Sequence, residues 1–88
     1  MLIPEYTTRF KKDYKLAIKR RQKLSELDEI MQDLIDEKPL AAKHRDHALT
    51  GNFEGSRECH IKPDWLLIYQ VGNGIIAFER TGSHSDLY

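Results

Sequence analysis

Apolar residues recur every three to four positions up to about residue 40 and every second position, or in short runs, from about residue 56 onward. A chain that switches period once in this way cannot be all-helical or all-strand; it reads as helices followed by strands, an α+β arrangement. Phe10, Tyr14, Ala17 and Ile18 mark a first helix, with Thr7 or Thr8 placed to cap it. Leu24, Leu27, Ile30, Met31, Leu34 and Ile35 mark a second. There Ser25 and Asp28 suggest a capping box, and Pro39 is expected to end the helix. Three strands then follow over Ser56–Ile61, Trp65–Val71 and Ile75–Thr81, joined by turns at Pro63-Asp64 and Gly72-Asn73-Gly74, which predicts an antiparallel meander. Leu2–Tyr6 adds a short strand that Pro4 confines to an edge. Residues Ala41 to Asn52 are expected to form a loop. At 88 residues the chain has room for one core, so residues 1–88 are expected to form one domain, with both helices on one face of the sheet and the other face open.

The charge pattern is more informative than its total. Fourteen basic and fourteen acidic side chains cancel, which taken alone argues against a nucleic-acid binder. Residues 1 to 23, however, hold eight basic side chains against Glu5 and Asp13, and residues 24 to 39 hold six acids against Lys38 alone. A polar molecule of this kind can offer phosphate one attracting side. No apolar run approaches the roughly 18 residues of a membrane span, and the N-terminus does not read as a secretory signal. Cys59 has no partner for a disulfide. These features point to a soluble protein of the reducing cytoplasm.

All four histidines, His44, His47, His60 and His84, fall in or beside the strand-rich half. The spacings of His44 with His47 and of His60 with Asp64 raise a metal site, but neither cysteine pairs nor a helical H-E-x-x-H accompany them, so none is expected. Cys59 and His60 are adjacent in a strand and point to opposite faces, which argues against a cysteine nucleophile. Gly72-x-Gly74 is a hairpin turn rather than a nucleotide-binding loop. Cleavage of RNA without a cofactor fits better, because the 2′-hydroxyl is itself the nucleophile. The protein need supply only a base, an acid and positive charge, for which imidazole and guanidinium groups are suited. Arg80 and Arg57 are the candidate phosphate ligands, and Trp65, Phe53 and Tyr88 the candidate stacking groups, with core packing the competing role for Phe53.

Three segments taken in order make the pattern specific. They are D-H-x-L-x-G from Asp46 to Gly51, H-x-x-P-D-W from His60 to Trp65, and R-x-G-[ST]-H from Arg80 to His84. Together they resemble the YafQ branch of the RelE-like toxins. The resemblance implies the toxin of a type II toxin-antitoxin pair, with a compact RelE-like fold. It implies an endoribonuclease that cuts messenger RNA on the ribosome without a metal, and a tightly bound antitoxin whose complex with the toxin meets operator DNA. By motif, His47, His60, Asp64 and His84 form the acid-base group and Arg80 the phosphate stabiliser. Trp65 and Tyr88 take the aromatic positions, Tyr88 where the family commonly has phenylalanine. His44 is expected to be structural. The competing reading is a fold kept only for binding antitoxin and operator, without nuclease activity.

Overall fold

A computed structural model describes residues 1–88. The chain enters as strand β1 (Ile3–Tyr6), continues through helices α1 (Thr8–Lys19) and α2 (Leu24–Ile35), and then forms β2 (His47–Ala48), β3 (Arg57–Lys62), β4 (Trp65–Gly72) and β5 (Ile75–Gly82) before a short helix α3 (His84–Leu87). Five strands make one sheet in the order β1-β5-β4-β3-β2. The meander β3-β4-β5 is antiparallel as expected, and β1 adds to the outer edge of β5 in parallel, with Pro4 opposite Ile76.

Thr7 caps α1, its hydroxyl accepting from the Phe10 N–H. The expected capping box of α2 is absent. The helix starts at Leu24, whose side chain packs on the core, so Ser25 falls inside the first turn and Lys23 sits at the cap without a side-chain bond. Nor does Pro39 end this helix. Glu37 adopts a left-handed conformation (φ 58°), and the N–H groups of Glu37 and Lys38 return to the Leu34 and Asp33 carbonyls, closing the last turn four residues before the proline is reached. Arg21 (φ 56°) closes α1 in the same way.

The core has two unequal parts, and this changes the expectation of an open face. Alternate residues of β4 point to opposite sides. Trp65, Leu67 and Tyr69 meet Phe10, Leu27, Met31 and Leu34 of the two long helices, whereas Leu66 and Ile68 bury against Leu87 of α3, with Leu49 and Phe53 beside them. The second face is therefore covered by the chain's own last helix and by the segment before β3. The polar residues of interest collect on this second face.

Candidate active site

Period-two alternation in β3 sends Glu58 and His60 to the α3 side of the sheet, opposite Cys59 and Ile61. Register then assembles the rest. β2 pairs His47 directly with Glu58, and the turn from β3 to β4 presents Asp64. Past Gly82, α3 brings back His84 and Tyr88. The ring centroids lie 6.3 Å apart for His47 and His60, 5.9 Å for His60 and His84, and 6.5 Å for His84 and Tyr88, so the four rings form a continuous arc.

Each imidazole is oriented by an acceptor on Nδ1. His47 Nδ1 donates to the Arg45 carbonyl (2.6 Å), His60 Nδ1 to the Pro63 carbonyl (3.3 Å) and His84 Nδ1 to Asp64 Oδ1 (2.7 Å). His84 Nε2 is thereby left without a protein partner, whereas the Nε2 atoms of His47 and His60 turn toward Glu58. Asp64 also accepts from the His84 backbone N–H (2.9 Å), and these two bonds hold its carboxyl below the usual carboxylate range. It is thus a fixed anion that orients His84.

Sequence reasoning missed Glu58, which sits at the centre of the arc and is only 5% exposed. Its Oε2 lies 3.2 Å from His47 Nε2 and 3.8 Å from His60 Nε2, and its Oε1 accepts from the Tyr88 hydroxyl at 2.7 Å. The signal was available: an acid two residues before a strand histidine shares its face.

Helix α3 is only one turn long and depends on specific ties. Ser83 and Asp86 form a full capping box, and Asp86 also takes both arms of the Arg20 guanidinium, at 2.6 and 3.2 Å. Arg20 and the Ser83 N–H hold the Asp86 carboxyl far below its ordinary range. Asp86→Ala should therefore cost about 1 kcal/mol through the lost cap. Because the folded carboxyl titrates below its unfolded value, this stability is present above about pH 4 and is lost only as pH falls through the depressed value. Denaturant titrations of both proteins at pH 7 and pH 5 check the prediction. A gap that closes by pH 5 would contradict it.

The remaining expected residues fare differently. Arg80 would follow Ile76 and Phe78 onto the helix-covered face by simple alternation, but a bulge at Glu79 sets it opposite Ile68 on the α3 side. Its guanidinium is then gripped by Asp13 of α1, with Nε to Oδ2 at 2.7 Å and one terminal nitrogen to Oδ1 at 3.2 Å, which leaves Nη1 without a protein partner. Trp65 is turned away from the arc: it is 2% exposed on the helix side, with its indole N–H donated to Thr81 Oγ1. Arg57 is displaced from the site as well. It points to the same side as Cys59 and Tyr69 and pairs with Asp46 (3.2 Å), which also accepts from the Tyr69 hydroxyl. Phe53 packs on Leu66 and Ile68 and meets Tyr88 edge-on. His44 lies outside the arc, its Nδ1 donating to the His60 carbonyl at 2.7 Å. Beside His60 opens a cleft of about 530 Å³ lined by Lys43, Arg45, Lys62 and Glu26. No three His, Cys, Asp or Glu side chains are grouped to hold a metal ion.

Residues 2–88 match the family model described as "Bacterial toxin of type II toxin-antitoxin system, YafQ". The chain belongs to the YafQ toxin family. The mRNA interferase toxin YafQ of Escherichia coli K12 is 42% identical over 85 residues, covering 96% of this chain and 92% of the relative. YafQ in the crystal structure of the E. coli DinJ-YafQ complex superposes with a TM-score of 0.93 at 40% identity, covering 100% of this chain and 99% of that one. A metal-bound toxin from Helicobacter pylori superposes with a TM-score of 0.93 at 41% identity, covering both chains in full. The α+β architecture and the five-stranded mixed sheet are therefore those of the YafQ family.

Proposed function

We propose that this chain is the toxin of a type II toxin-antitoxin pair and acts as an endoribonuclease on messenger RNA. The observation that carries the reading is the convergence of His47, His60 and His84, drawn from three separate parts of the chain, with every Nδ1 oriented by an acceptor and every Nε2 directed away from it. Such an arc suits a reaction that needs one proton removed and another delivered across a single phosphodiester. One of His47 and His60 takes the 2′-hydroxyl proton as the 2′-oxygen bonds to phosphorus. His84, held by Asp64, gives a proton to the 5′-oxygen as the phosphorus–oxygen bond to it breaks. Arg80, fixed by Asp13, offers its free Nη1 to the phosphate. Tyr88, 62% exposed, is placed to stack on a base, while Lys43, Arg45 and Lys62 line a path for the adjoining backbone.

On this reading the messenger is met on the ribosome in the cytoplasm, and a cognate antitoxin holds the toxin inactive and carries it to operator DNA. The DinJ-YafQ complex of the E. coli relative supports the antitoxin partner. The test is to map the ends of a labelled messenger, with ribosomes and without them. Products should carry 2′,3′-cyclic phosphate and 5′-hydroxyl ends, and in the ribosome-free reaction any cleavage should persist in EDTA. Products with 5′-phosphate ends, or a strict requirement for added divalent metal without ribosomes, would overturn the mechanism.

A further inference from the structure

We propose that the Tyr88 hydroxyl is a positioning group of this site, acting through Glu58: by occupying Oε1 it directs Oε2 at the His47–His60 pair and pins the end of α3 beside His84. The inference rests on the ribonuclease reading and assigns a part of the ring that base stacking does not use.

Glu58 is almost fully buried, so its carboxylate must be satisfied by protein groups rather than by water. The two oxygens divide that task. Oε1 takes the Tyr88 hydroxyl at 2.7 Å, and Oε2 faces the two imidazoles at 3.2 and 3.8 Å. Rotation about the terminal torsion of a glutamate is soft and nearly two-fold, so a carboxylate with one oxygen tied is far better oriented than one with both free. Loss of the hydroxyl lets the carboxylate turn, and His47, whose Nε2 is the nearer of the two imidazole nitrogens to it, loses its fixed partner.

The hydroxyl also anchors α3. Asp64, the Ser83–Asp86 box and Arg20 tie the start of the helix, and Leu87 is held by Leu66 and Ile68. Beyond Leu87, the Tyr88 side chain has an edge contact to Phe53 at 5.6 Å and one polar bond, the one to Glu58. Burial and the neighbouring Glu58 carboxylate push the phenol up to about 12, so it remains a donor throughout the neutral range. A stacking platform needs only the ring. Removing the oxygen alone therefore separates positioning from stacking.

The test is Tyr88→Phe in the full chain, with melting temperature as the control for folding, since this ring is largely exposed. In single-turnover cleavage of a labelled messenger on programmed ribosomes, the maximal rate should fall about 3- to 30-fold while the half-saturating toxin concentration stays within about twofold. In ¹⁵N-imidazole NMR of the free protein, the His47 and His60 Nε2 resonances should move, while His44, bonded to the His60 carbonyl, should not. Tyr88→Ala, which also removes the ring, should raise the half-saturating concentration as well. Unmoved His47 and His60 resonances would overturn the proposal whatever the rate does, since the hydroxyl would then act on the substrate directly or not at all. So would resonances that move with an unchanged rate. If the unsubstituted protein cuts no RNA, the ribonuclease reading fails, whereas the NMR arm still decides whether Tyr88 orients the cluster.

Discussion

His84→Ala should slow messenger cleavage by about 10²- to 10⁴-fold, the usual cost of losing a general acid or base, while leaving the protein folded. The fold should survive because the substitution spares most of what holds α3. The backbone N–H of residue 84 still donates to Asp64, its carbonyl still accepts from the Tyr88 N–H, and Leu87 and Asp86 keep their partners. Rapid-quench measurement of messenger cleavage, with a thermal melt alongside, checks both halves of the statement. A variant that melts like the unsubstituted protein and cuts at its rate would remove His84 from the mechanism. Asp64→Asn should do less harm, about tenfold, because the amide oxygen can still accept from Nδ1 while the fixed negative charge is lost. The Asp64 carboxyl lies below the ordinary carboxylate range in the folded protein. Its orienting contact is therefore present above the unfolded value near pH 4 and fails only as pH falls through the lowered one. An activity loss between pH 7 and pH 5 would thus belong to other groups.

The parts of this molecule that depend on local pattern were legible in its sequence. Helical stripes from Phe10 to Ile35 mark α1 and α2, and turn residues at Pro63 and Gly72 mark the meander. What escaped depends on long-range geometry. β2 is two residues long and exists only because His47 and Ala48 find Glu58 and Arg57 as partners. α3 is one turn in a stretch of small residues that reads as a loop until its cap, Arg20 and Leu87 act together. The run from Trp65 to Val71 shows that a strand is buried without showing which side each ring takes, since a strand covered on both faces loses its alternation. The same blindness explains the site. Motif resemblance points to His47, His60, Asp64 and His84, and the structure brings them together. Trp65, adjacent to Asp64 in sequence, is sent the other way by the alternation of β4. Arg57 is turned away from Glu58 by the alternation of β3. Arg80 reaches the α3 side only through a bulge that no period-two count anticipates.

Trp65→Ala distinguishes these two views of the tryptophan most sharply, and the expected result is loss of the fold. The indole is nearly fully buried among residues of both long helices and the sheet, and its N–H bonds to Thr81 Oγ1, which in turn donates to the Leu66 carbonyl. Truncation to alanine leaves a cavity that costs about 3 to 5 kcal/mol. A domain of this size has only about 5 to 10 kcal/mol in total, so the variant should be largely unfolded near its working temperature or melt many degrees early. Trp65→Phe keeps most of the volume and removes the polar bond. Thr81 retains its own donor contact to Leu66, so this variant should lose only about 1 to 2 kcal/mol and keep its cleavage rate within a few-fold. A stacking role predicts the reverse pattern, with a folded Trp65→Ala protein that needs far more RNA for half-maximal cleavage. Chemical denaturation read by circular dichroism, together with messenger cleavage by both variants, separates the outcomes. A stable alanine variant with weakened RNA binding alone would return Trp65 to the RNA face, and with it the assignment of Tyr88 as the aromatic platform would have to be shared.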